Sequence, residues 1–85
     1  GNFHAILLVD LENPQEMKAA KTVANKMANL AISLGGTCTG EHGIGMGKLH
    51  FMQSQLGDAW DIMGNIKEAL DPINIMNPGK LIKRN

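Results

Sequence analysis

The stretch that most restricts this chain is GEHGIGMGK, residues 40–48, where Gly40, Gly43, Gly45 and Gly47 surround the pair Glu41-His42. Glycine loses more backbone freedom on folding than any other residue, so helix and strand are both disfavoured through such a segment. The chain must turn here, and its regular elements must lie on either side. Upstream, FHAILLV (residues 3–9) is a short apolar run ended by Asp10, which reads as a strand buried on both faces. A helix start follows, with Asn13 as cap, Pro14 at the first helical position and Glu16 completing a capping box with Asn13. Met17, Ala20, Ala24, Met27, Ala31 and Leu34 then recur at spacings of three and four, one apolar stripe of a helix. Gly35-Gly36 stops it, and Thr37-Cys38-Thr39 reads as a second short strand entering the glycine loop.

Beyond the loop, Ala59, Ile62, Met63, Ile66 and Leu70 form a second helical stripe with Trp60 on its flank. Asp71-Pro72 ends it, because the residue before proline avoids helical geometry. Asn77-Pro78-Gly79-Lys80 is a turn. Strand, helix, strand, glycine loop, helix and turn together predict an α+β fold. At 85 residues the chain is one small domain or a piece of a larger one. Such a domain buries only about 60–65% of its unfolded surface, so two apolar helix stripes are not both covered and self-association into a homo-oligomer is expected.

Several function classes fall away on composition. Net charge is zero and no basic run is longer than Lys83-Arg84, which argues against a nucleic-acid partner. No apolar run reaches the ~18 residues of a transmembrane segment. The opening at Gly1-Asn2 has no signal-peptide character. A single cysteine, Cys38, forms no internal disulfide and suits a reducing compartment, which predicts a cytoplasmic location.

The glycine loop has a bland reading as a solvated turn, and three chemical ones. A phosphate-binding loop ending at Gly47-Lys48 would need glycine where His42 stands and Ser or Thr where Leu49 stands. A dinucleotide fingerprint starting at Gly43 and Gly45 would need its third glycine at Lys48. Both patterns fail. A metal or acid–base site remains, since Glu41 offers a carboxylate oxygen and His42 accepts a proton near neutrality. In an extended segment adjacent side chains point to opposite sides, so one would face a metal and the other a substrate. Two donors hold a metal poorly, and His4 is the upstream candidate for another; a lone histidine in an apolar run is otherwise a core residue. His50, between Leu49 and Phe51, belongs to a helix start.

GNFH (1–4), GGTCTGEHGIGMGK (35–48) and ALDPINIMNPGKL (69–81), in this order and spacing, resemble the C-terminal end of the FAD-linked oxidases, the D-lactate and glycolate dehydrogenases and their D-2-hydroxyacid relatives. The resemblance covers essentially the whole chain. It implies that residues 1–85 are the C-terminal part of that family's C-terminal domain, with the N-terminal FAD-binding domain absent. Of the family motif H-x-G-D-G-N-x-H only the end is present, as Gly1-Asn2-Phe3-His4, which leads to the expectation of a truncated chain, inactive alone. Carried over, His4 and Glu41 match ligands of a divalent metal, Zn²⁺ or Mn²⁺, and His42 matches the base that takes the substrate's hydroxyl proton. Asn77 matches an asparagine close to the flavin, and Gly43 belongs to the loop that lies against the isoalloxazine. Cys38 falls where small residues are tolerated and reads as packing. Ile6, where 2-hydroxyglutarate enzymes tend to have a polar residue, favours the lactate and glycolate branch. The implied function is oxidation of a small D-2-hydroxy acid to the 2-oxo acid by proton abstraction and hydride transfer to FAD. The alternative from another class is a non-catalytic, self-associating or protein-interaction module.

Overall fold

Local capping sets the first helix, α1 (Pro14–Ser33), as the sequence predicts. The Asn13 side-chain oxygen accepts the N–H groups of Gln15 and Glu16 at 3.0 and 3.3 Å, and Pro14 is the first helical residue. The capping box is not reciprocal, however. Glu16 Oε2 accepts from Asp10 N–H at 2.8 Å, while Asn13 N–H donates to the Asp10 carbonyl at 3.0 Å. Glu16 thus reaches past the cap and ties down the segment that enters the helix. At the other end Gly35 takes φ +84°, and Gly36 N–H bonds to Ala31 O at 2.8 Å, with Gly35 N–H to Ile32 O at 3.0 Å. This is a Schellman ending. A Cβ on Gly36 would stand 2.9 Å from the Ala31 carbonyl oxygen, which explains the second glycine.

The structure, a computed structural model, describes residues 1–83; Arg84, half of the Lys83-Arg84 pair, lies outside the described residues. After α1 come a 3₁₀ turn (Leu49–Phe51), a short helix α2 (Met52–Leu56) and α3 (Asp58–Leu70). Gly57, at φ 55° and ψ −128°, separates α2 from α3.

The expected α+β fold is corrected: among the described residues there is no strand, and the elements are helical. Residues 3–9 are neither paired nor buried, with Leu8 96% exposed and Ile6 80% exposed. Residues 37–39 are loop. The apolar pattern reports a tendency to be covered, but a strand also needs a second backbone to take its N–H and C=O groups. The described residues supply none beside either segment.

The packed face of α3 also differs from the expected stripe. Ile62, Ile66 and Leu70 are exposed, whereas Trp60, Met63, Gly64 and Lys67 face inward at helical spacing. The C-terminal tail selects that face. The Trp60 indole N–H donates to the Leu81 carbonyl at 2.8 Å, and Gly64 leaves room for Ile82, whose Cγ2 lies 3.6 Å from where a Cβ would stand. Phe51, Met52 and Ile82 form the small core, with Asp71 buried beside it. α1 contributes no buried residue.

The radius of gyration is 15.1 Å, against roughly 12 Å for a compact domain of this length. The accessible surface is 6732 Å², against about 4900 Å² for a folded monomer of this mass. Much of the excess is apolar, including Ile62, Leu70, Ile73 and Ile75.

Candidate active site: a histidine–glutamate cluster at the glycine loop

Gly43 N–H bonds back to the Gly40 carbonyl at 3.2 Å, which closes a tight turn with Glu41 and His42 at its two central positions. Gly43, at φ +73°, and Gly45, at φ +54°, hold backbone conformations that side chains disfavour, so these glycines are required by the path of the loop. The turn changes the geometry expected from an extended segment. Glu41 and His42 point to a shared side, where His4 from the unpaired N-terminal segment joins them.

Glu41 Oε1 lies 3.4 Å from His4 Nδ1 and 3.6 Å from His42 Nε2. The two imidazoles stand edge to face, with centroids 5.9 Å apart and planes at 84°. One potential ligand atom from each residue falls within 4.8 Å of the others. All three side chains are open to solvent, at 60%, 72% and 73% exposure for His4, Glu41 and His42. The donor set fits a divalent metal. Ligand bonds of about 2.1 Å place tetrahedral donors roughly 3.4 Å apart, close to the separations seen here. An ion held by these three side chains would lie open to solvent.

His50 is not part of the cluster; its ring packs against Phe51 at 4.0 Å between centroids. Cys38 is half-buried, its N–H donates to Gln55 Oε1 at 2.9 Å, and burial raises its thiol pKa against the opposing pull of Lys48. A protonated thiol suits the packing role expected for it.

Asn77 sits in a separate but connected place. It adopts φ 47°, its carbonyl accepts Lys80 N–H at 3.3 Å, and it borders an open groove of about 560 Å³ whose apolar walls include Met63, Ile66, Leu70 and Met76. One hydrogen bond, Leu81 N–H to Gly45 O at 2.8 Å, joins the Asn77 turn to the glycine loop. The segment before Asn77 is organised by the pair Lys67 and Asp71. Asp71 accepts a hydrogen bond from the Lys67 ammonium, and takes Ile75 N–H at 3.0 Å and Met76 N–H at 2.9 Å. The available signal was their i,i+4 spacing at the last turn of a helix.

These interactions, led by the Lys67 hydrogen bond and aided by the two backbone N–H groups, lower the Asp71 pKa from 3.8 to about 2 against the opposing effect of burial. A carboxylate depressed in the folded state stabilises that state above its ordinary pKa, and the contribution disappears as pH falls through the depressed value. The Ile75 and Met76 amide resonances are therefore expected to titrate with a midpoint near 2 rather than 3.8. A midpoint at the ordinary aspartate value would mean that the carboxylate does not hold those amides in solution.

Residues 1–81 match the family model described as FAD linked oxidases, C-terminal domain. The chain is 45% identical to the mitochondrial D-lactate dehydrogenase (cytochrome) of Arabidopsis thaliana over 83 residues, covering 96% of this chain and 15% of that protein. It is 43% identical to the mitochondrial D-lactate dehydrogenase (cytochrome) 1 of Saccharomyces cerevisiae over 84 residues, 98% of this chain and 14% of that protein. It is 39% identical to the glycolate oxidase subunit GlcD of Bacillus subtilis over 85 residues, 99% of this chain and 18% of that protein. The chain thus spans less than a fifth of the length of these relatives. No solved structure matches it significantly. Among the described residues no helix is long and apolar enough to cross a membrane.

Proposed function

The chain belongs to the family of FAD linked oxidases, C-terminal domain, and on that premise we propose that it carries the metal- and proton-handling part of an enzyme that oxidises a small D-2-hydroxy acid, lactate or glycolate, to the 2-oxo acid. The observation that supports this most directly is the meeting of His4, Glu41 and His42 at one open point. His4 and Glu41 would hold a divalent metal, Zn²⁺ or Mn²⁺, which when bound supplies Lewis acidity that lowers the pKa of a substrate hydroxyl. His42 takes the hydroxyl proton. Gly43 and Asn77 would border the flavin, which when bound supplies the hydride acceptor. The names of the relatives support the substrate class, and the exposed cluster leaves room for a small polar acid.

In this reading residues 1–85 are part of the C-terminal domain. FAD is bound chiefly by a domain outside the chain, and the isolated chain is inactive. The unpaired thiol of Cys38 supports a reducing compartment, the cytoplasm in the simplest case. A second role for His42, as a third metal ligand, has a specific observation behind it: its Nε2 stands 3.6 Å from the carboxylate oxygen that also faces His4.

The direct test is anaerobic mixing of the flavoprotein that carries this chain with D-lactate, glycolate and L-lactate. Bleaching of the flavin by either of the first two, and not by L-lactate, is expected. A flavin left oxidised by both would sink the proposal.

Exposed apolar surface supports self-association of the isolated 85-residue chain, through the outer face of α3 and the segment 73–76. Light scattering behind size exclusion should show mass rising with concentration. A monomer throughout would mean that this face remains solvated.

A further inference from the structure

We propose that Asp71 is a positioning residue for Asn77, acting through the backbone of residues 74–76; this rests on the flavin-facing role given to Asn77 above. Among the described residues Asp71 is the buried charged side chain, at 5% exposure. Removing a charge from water is unfavourable unless its oxygens are fully engaged. Here both are. Oδ1 takes Ile75 N–H at 3.0 Å; Oδ2 takes Met76 N–H at 2.9 Å together with the Lys67 ammonium. The Asp71 backbone carbonyl accepts Asn74 N–H at 3.0 Å, so the same residue closes the turn with both its main chain and its side chain.

The Lys67 ammonium donates to the Met76 carbonyl as well. The peptide groups on both sides of the Met76 Cα are therefore fixed by one ion pair, and the next residue is Asn77. That matters because Asn74 and Asn77 hold left-handed φ values of 56° and 47°. Asparagine tolerates this region, but it is not the preferred state of an L-residue and must be imposed by its surroundings. The Asp71–Lys67 clamp fixes the peptide that leads into Asn77, the Asn77 carbonyl accepts Lys80 N–H at 3.3 Å, and Asn77 is held between them at the rim of the groove bordered by Met76 and Lys80. Downstream, Leu81 N–H donates to the Gly45 carbonyl at 2.8 Å and ties this segment to the glycine loop.

The test is a double-variant cycle in the flavoprotein carrying this chain, read as FAD affinity by flavin fluorescence and as hydrogen exchange of the peptide spanning residues 72–77. Asp71→Asn keeps the shape of the side chain and removes its charge. It should weaken FAD binding by about tenfold, the scale of losing hydrogen bonds to a charged group, and speed exchange of that peptide. Asn77→Ala should weaken FAD binding similarly. Because Asp71 acts through Asn77, the double variant should bind FAD no more weakly than Asn77→Ala alone.

Additive losses would show Asp71 to be a general stabiliser and overturn the inference. So would normal FAD binding in Asp71→Asn beside weakened binding in Asn77→Ala, and that result leaves the proposed function standing. Normal FAD binding in Asn77→Ala removes the flavin-facing role itself, and the inference falls with it. Should Asp71→Asn fail to fold, Lys67→Met takes its place, since it leaves the two amide bonds and removes the ammonium from both Asp71 and Met76. Its FAD affinity should fall less, again without adding to Asn77→Ala; full additivity overturns the inference here too.

Discussion

His42→Ala is expected to lower the rate of flavin reduction by D-lactate or glycolate by about 10²–10⁴-fold, the usual worth of a positioned general base, while metal and FAD content should stay near those of the parent protein. That range corresponds to about 3–5 kcal/mol of lost transition-state stabilisation. The prediction is demanding because His42 has two candidate roles. Its Nε2 lies 3.6 Å from Glu41 Oε1, a separation that suits a metal ligand as well as a base. Stopped-flow reduction with metal assayed on each sample separates them. A slow reaction with full metal content identifies the base; a slow reaction with metal lost, recovered by added metal, identifies the ligand. Reduction as fast as in the parent would leave His42 without a catalytic role.

The sequence was readable wherever structure is decided locally. Asn13, Pro14 and Gly35-Gly36 mark both ends of α1 because capping is a property of a few neighbouring residues. It was not readable where an element depends on something distant. FHAILLV has the composition of a buried strand, yet pairing needs a backbone that the described residues do not place beside it. The packed side of α3 is not legible for a related reason: periodicity marks an apolar stripe, but the tail at Leu81 and Ile82 packs on the line through Trp60, Gly64 and Lys67. Glu41 and His42 stand out in the glycine loop itself, and His4 is the upstream donor the sequence offers beside them. How the three meet is not legible locally, since Glu41 and His42 turn to a shared side only through the turn from Gly40 to Gly43, and His4 reaches them by the course of the unpaired N-terminal segment. Beside Pro72, Asp71 reads in the sequence as a helix stop, and its role as a buried hydrogen-bond hub follows only from the fold of residues 74–76.

Glu41→Gln is expected to weaken binding of Zn²⁺ and Mn²⁺ more than any other single substitution at the cluster that preserves side-chain size. Glu41 Oε1 is the atom both imidazoles approach, at 3.4 and 3.6 Å, so it is the shared corner of the donor set. The amide keeps the shape and one weak oxygen donor but removes the only negative charge among the three groups. A divalent ion would then face neutral donors alone. Altering an outer partner that merely orients a ligand commonly costs 10–100-fold in affinity, and loss of an anionic donor should cost at least that much. Calorimetry with each metal measures the loss, and flavin reduction reports its consequence. At low metal the variant should be slow; in excess metal it should recover part of the parent rate, because the base is still present. His42→Ala, if it lacks only the base, gains nothing from excess metal. The two halves of the Glu-His pair are thus separated by one variable, the metal concentration. Unchanged metal affinity in Glu41→Gln would remove the carboxylate from the donor set and leave it the task of orienting His4 and His42 through their ring nitrogens.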